Sequence, residues 1–158
     1  MRFLIVILML LYPQQSFGNC EKAKNASRVV AAGGSITEII YYLGHQKHLV
    51  ARDLTSNFPT DAEDLPSIGY VRNLSSEGLL SLSPSLILSE ADAGPSHVVE
   101  EVKRMAVDFR IISDEYNSKS ILNKVLCVGE IFGSDPSNIA PKLKYLNEQV
   151  EQLQSVSP

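Results

Sequence analysis

Gly69-Tyr70-Val71-Arg72 sets a phenol and a guanidinium two residues apart, just after a segment holding Pro59 and Pro66. If residues 70–72 are extended, the two side chains point to the same side. A phenol is mostly protonated at neutral pH, but a bound ferric ion favours the phenolate because the metal charge stabilises the anion. A guanidinium nearby could support that anion, or pair with a carboxylate through two parallel hydrogen bonds. Residue types alone do not assign this chemistry. One tyrosine after a proline-containing loop reads equally as a core or rim residue, and Arg72 as a solvated surface arginine.

Other chemistry-bearing residues give weaker signals. Gly33-Gly34-Ser35 before a helix has the look of an anion-binding turn. It lacks the full phosphate-loop spacing and the lysine that would follow, so a tight strand-to-helix turn is the expectation. Asp92-Ala93-Gly94-Pro95 reads as a loop lining the same cleft, by position. His45 and His48 flank the end of the first helix, where a cation suits the helix dipole, and without a third ligand they make a weak zinc case. His97 falls in the first turn of a helix and is expected to be solvated. No G-x-S-x-G elbow occurs, and no spacing of Ser, His and Asp singles out a triad. A small exported hydrolase is therefore the weakest class, and no enzyme is expected.

The elements that would position these residues alternate. Arg28–Ala32 is a strand candidate ending at Gly33-Gly34. Ser35-Ile36-Thr37-Glu38 has the pattern of a capping box. Ile36, Ile39, Ile40 and Leu43 then put one apolar face on a helix that Gly44 ends. Leu49–Ala51 is a second strand, and residues 52–69 form a loop with no regular period. A short helix follows over Ser75–Leu82, a fully apolar strand at Leu86–Leu88, a helix after Ser96, and a strand at Phe109–Ile112. A further helix starts at Ser118 or Ser120 and stops at Gly133. Asp135-Pro136 opens the last helix, with proline at its first position. Four strand–helix alternations specify an α/β fold, a parallel β-sheet flanked by helices. Ligands on such sheets sit at the carboxyl ends of the strands, so the loops at 33–35, 52–74 and 89–95 are the ones to watch. In the last helix Ile139, Leu143, Leu146, Val150 and Leu153 make a short heptad seam, expected to pack along the domain. Its far end would leave Leu146, Val150 and Leu153 partly exposed and open to a weak homodimer.

Composition sets the frame. The chain has 158 residues and a net charge of −4, and it is 44% hydrophobic. An acidic chain with no Lys/Arg run is not a strongly basic nucleic-acid binder. Met1-Arg2, the apolar run Phe3–Leu11 and the small residues Ser16 and Gly18 have the layout of a cleavable signal peptide over residues 1–18. That run rises only about 14 Å as a helix, too short to span a bilayer. No other apolar stretch approaches the roughly 18 residues of a membrane span. Residues 19–27 read as a frayed polar leader. Export permits a disulfide, but Cys20 in that leader and Cys127 in an apolar-periodic segment are not expected to pair. Cys127 reads as a small buried apolar residue.

VVAAGGSITEIIYYLG (residues 29–44) and LPSIGYVRNLSSEGLLSLSPSLIL (residues 65–88) resemble the N-terminal lobe of haem-binding periplasmic proteins of ABC importers. These are similar in fold to cobalamin- and siderophore-binding proteins. The resemblance runs from about Arg28 to Leu153. Gly69 to Leu88 is its most specific part, and the L-x-P-x-L-I signature at Leu82–Ile87 belongs to the wider superfamily. The resemblance implies a periplasmic carrier that passes ferric haem to an inner-membrane ABC permease. It places the haem-iron ligand at Tyr70, phenolate or propionate support at Arg72, and permease docking at Glu77. Gly33, Gly34, Ser35 and Asp92 become cleft-lining candidates. The alternatives it leaves open are a cobalamin or iron-siderophore carrier, or a remnant lobe without ligand. Such carriers have two lobes joined by a long helix. Residues 28–134 correspond to one ligand-binding lobe and 135–158 to the start of that helix, and the second lobe is expected to be absent.

Overall fold

The computed structural model describes residues 20–113 and 117–156; the expected signal peptide lies outside them. Four strands, β1 (Val29–Ala32), β2 (Leu49–Arg52), β3 (Leu86–Ser89) and β4 (Asp108–Ile111), form one sheet in the order β2-β1-β3-β4. Every pairing is parallel, as the alternating pattern predicts. The chain leaves β1 toward one edge and returns at β3 toward the other. The carboxyl ends of β1 and β3 therefore flank the point where strand order reverses, the usual crevice of such sheets.

Side-chain alternation splits the core into two layers. Val29, Ala31, Leu86 and Leu88 face α1 (Gly34–Leu43) and α4 (Ser118–Phe132), packing with Ile36, Ile40, Val128 and Ile131. Val30, Ile87 and Ala51 face α2 (Ser76–Ser81) and α3 (Ser96–Arg104), packing with Leu79, Val98, Val99 and Val102. Both faces of the sheet are covered, which is why β1 and β3 are buried along their whole length.

The helix ends differ in part from expectation. Gly44 and Gly133 are left-handed caps as predicted, and Ser75 caps α2 by accepting from the Gly78 amide. The capping box at Ser35 does not form. Helix α1 starts two residues earlier than that box implies, at Gly34, and the Ser35 hydroxyl donates instead to Glu90 Oε1 at 2.6 Å. Pro95 rather than Ser96 precedes α3 as its cap, and the Asn117 side chain caps α4.

The last helix, α5 (Pro136–Val156), does pack along the lobe. Ile139 is buried, Leu143 and Leu146 lie against the α1–α4 core, and Leu153 stands 73% exposed. A Cβ at Gly129 would come within 2.5 Å of the Ile139 side chain. That glycine is what lets α4 and α5 approach so closely. Tyr42 and Lys142 then tie α1 to α5 reciprocally: each side chain donates to the other's carbonyl, at 2.9 and 2.8 Å.

Two expectations are overturned. Residues 20–27 are not frayed, because Cys20 and Ala23 are buried and the Ala23 amide donates to the Ile131 carbonyl at 2.9 Å. Cys20 and Cys127 do pair, as a disulfide across 107 residues of sequence. The leader runs along α4 and carries Cys20 to Cys127, a proximity that burial arguments about each cysteine alone do not reveal. His45 is a further correction. Its ring stacks on Phe132 with centroids 4.4 Å apart, and Nε2 meets Ser134 Oγ at 2.6 Å. Burial, then His48 and Lys47, lower its pKa from the ordinary histidine value, which disfavours the cation expected there.

Two outcomes follow for stability. A cross-link closing so long a loop contributes about 2–4 kcal/mol. Reduction, or Cys127→Ser, should lower the unfolding free energy by about that amount in denaturant titrations, and an unchanged midpoint would contradict this. For His45 the native state holds its proton less tightly than the unfolded chain. Its contribution is therefore complete above a pH of about 6.5 and is lost as pH falls through and below that value. Thermal unfolding between pH 7.5 and 5 should show this loss, and His45→Gln should flatten it.

Candidate functional site

Three loops meet at the carboxyl edge of the sheet. The first, after β1, is built on Gly33, whose φ of 140° favours glycine. A Cβ there would come within 2.5 Å of the Glu90 side chain. Glu90, just past the end of β3, accepts from both the amide and the hydroxyl of Ser35 through Oε1. The almost fully buried Lys124, from α4, donates to the same hydroxyl at 2.9 Å. The turn that resembled an anion site thus has a carboxylate of the protein's own at its Ser35 amide.

The second loop, after β2, is the long one, and it is not loose. Arg52 is buried at the end of β2. Its guanidinium donates to the carbonyls of Ala62, Asp53, Leu54 and Glu63. Its backbone brackets the returning strand-like segment: the Arg52 amide donates to the Pro66 carbonyl, and the Ile68 amide to the Arg52 carbonyl. Asp53, fully buried, accepts from the amide and hydroxyl of Thr55 and from the Ser56 hydroxyl. Thr37 of α1 donates in turn to Ser56 at 2.9 Å. The Leu54 amide donates to the Gly69 carbonyl at 2.7 Å. Residue 69 is thereby fixed, and with it the placement of Tyr70.

Tyr70 is 41% exposed. The segment after it is not extended; Val71–Asn73 is a 3₁₀ turn. Tyr70 and Arg72 nonetheless meet, with the guanidinium carbon 6.0 Å from the centre of the phenol ring. Within the third loop Asp92 Oδ2 accepts from Arg72 Nε at 2.6 Å. Backbone bonds stitch this loop to the second, from the Gly94 amide to the Val71 carbonyl and from the Leu74 amide to the Gly94 carbonyl. The Arg72–Asp92 pair is mostly exposed, so it adds less than about 1 kcal/mol to stability and serves chiefly to hold Arg72 beside the ring.

The predicted residues therefore divide into groups. Tyr70, Arg72 and Asp92 come together. Gly33, Gly34 and Ser35 join Glu90 at the crevice between β1 and β3. Glu77 is exposed in the first turn of α2, apart from both. His97 is exposed as expected. Sequence reasoning missed Glu90, Lys124, Arg52 and Asp53. For the last two a signal existed, since an Arg-Asp pair directly follows an apolar strand, where charge is unusual unless partnered.

A four-stranded parallel sheet with helices on both faces, presenting joined loops at the carboxyl edge, matches a single lobe of the two-lobed solute-binding fold. A family model described as periplasmic binding protein matches residues 29–143, and the chain belongs to that family. The vitamin B12-binding protein of Vibrio campbellii is 25% identical over 107 residues, 68% of this chain and 38% of that protein. Among solved structures, the periplasmic haem-binding protein from Pseudomonas aeruginosa superposes with a TM-score of 0.77 at 27% identity, covering 82% of this chain and 46% of that one. The periplasmic haem-binding protein HutB of Vibrio cholerae gives 0.76 at 28% identity, covering 85% and 51%. The chain thus spans about half the length of these haem-binding proteins. Among the described residues no helix is long and apolar enough to cross a membrane.

If Arg52 holds the loop as described, Arg52→Gln should release it. Amide hydrogen exchange at Leu54 and Ile68 should then accelerate at least tenfold while Val30 in β1 stays protected. Unchanged exchange at both loop amides would contradict this.

Proposed function

We propose that this protein is a periplasmic carrier of ferric haem, with Tyr70 as the iron ligand. The observation that carries the reading is the meeting of Tyr70, Arg72 and Asp92 on one pinned edge of the lobe. An accessible phenol can bind ferric iron as phenolate, and tyrosine is a known haem-iron ligand. Arg72, held by Asp92, either stabilises that anion or pairs with a propionate of the macrocycle. Similarity to two solved haem-binding proteins supports this ligand, and similarity to a vitamin B12-binding protein favours cobalamin as the second reading. In this account Glu77, exposed in the first turn of α2, docks on an inner-membrane ABC permease. The weak self-association expected through α5 rests on the exposed Leu153.

Titration with ferric haem, followed by visible absorption, tests the assignment. Saturable binding with a phenolate-to-iron charge-transfer band is expected, with loss of the band in Tyr70→Phe. Identical spectra from both proteins would remove Tyr70 from the mechanism.

A further inference from the structure

One imidazole fastens the 21-residue helix α5 to the rest of the lobe at its start. Helix α4 is capped by Gly133, and α5 begins at Pro136. The turn between them rests on His45, the residue after the cap of α1. The His45 ring lies on Phe132 with the two planes 4° from parallel, and its Nε2 meets Ser134 Oγ. His48 approaches the same phenyl ring, with centroids 5.8 Å apart. A cavity of about 100 Å³ opens beside the imidazole, between Leu43 of α1 and Ile139 and Lys142 of α5. It gives water a route to the ring that leaves the two apolar layers of the sheet packed.

The charges around the ring suit its neutral form. Lys47 and His48 stand on its own segment. Lys142 lines the cavity from α5, and the Lys22 stem, from the leader, lies against Gly133. Asp135 also lines the cavity, but its Oδ1 already caps α5, accepting from the amide and hydroxyl of Ser137 at 2.8 and 2.6 Å. Glu130 of α4 lies beside Cys20 and Cys127. Ser134 offers only a neutral hydroxyl, which can bond an imidazolium without neutralising it. Burial adds to the same effect, so a proton on His45 is held better by water than by this site.

We propose that His45 makes the α4–α5 turn an acid-released hinge. Neutral, the ring fastens Phe132 and Ser134 to the end of α1. Protonated, it leaves the stack for water and frees the turn and the first turn of α5. Linkage gives the direction, since acid favours whichever state exposes the ring. The release is local because the body of α5 has other anchors. Ile139 packs on Gly129, and Tyr42 and Lys142 bond each other's carbonyls.

The test combines NMR titration of the His45 ring with amide hydrogen exchange between pH 7.5 and 5, corrected for the intrinsic rate at each pH. The Ser134 amide donates to the Gly129 carbonyl and the Asn138 amide to the Asp135 carbonyl. Both should exchange at rates that low urea leaves unchanged, the sign of a local opening. Both should lose protection severalfold as the His45 ring gains its proton. Val30 in β1 should instead follow urea, as an amide exposed only by global unfolding does. His45→Gln should remove the pH dependence at Ser134 and Asn138, and His48→Gln should keep it. Equal protection across the pH range, the same dependence in His45→Gln, or exchange at Ser134 that follows urea as Val30 does would each overturn the hinge.

Discussion

The edge of this lobe depends on one buried cation. Arg52 ends β2 with its guanidinium turned into the loop that follows, where four backbone carbonyls accept its hydrogens. A charge taken out of water is costly unless hydrogen bonds replace its hydration. Here those partners come from residues 53–63, so the loop can satisfy Arg52 only by folding around it. An eighteen-residue stretch without regular period thereby becomes a rigid extension of the sheet. It hands Gly69 to Leu54 and sets Tyr70 beside Arg72. Asp53 continues the same logic on the other side, tying the loop to α1 through Ser56 and Thr37.

Beneath that edge the sheet supplies the rigidity. Alternate residues of β1 and β3 feed two separate apolar layers, and neither strand can slip by one residue without exchanging the layers. The crevice between their carboxyl ends is consequently well defined. Its contents are not those of an open anion site, since Glu90 already accepts from the Ser35 amide. The exposed chemistry lies instead with Tyr70, Arg72 and Asp92.

Much of this was legible in the sequence because it rests on local patterns. The apolar runs at 29–32 and 86–88, the period-3.6 face of α1, and the glycines at 44 and 133 each carry their own signal. Tyr70 and Arg72 were found through a resemblance, and they meet although the reason offered, an extended segment, does not hold. What stayed hidden depends on long-range proximity. Cys20 and Cys127 pair across 107 residues, Ser35 meets Glu90 instead of capping its own helix, and Arg72 finds Asp92 across two loops. No periodicity reports such contacts. The lowered pKa of His45 stayed hidden for the same reason, because its stacking on Phe132 joins the end of α1 to the end of α4.

The central claim is that a pinned edge presents Tyr70 to iron. A crystal structure of the protein with ferric haem tests it most directly. The account predicts the Tyr70 phenolate oxygen bonded to the iron at the carboxyl edge of the sheet, with Arg52 and its carbonyls unmoved. Haem iron held by His97, His48 or any other residue, with Tyr70 turned to solvent, would contradict it.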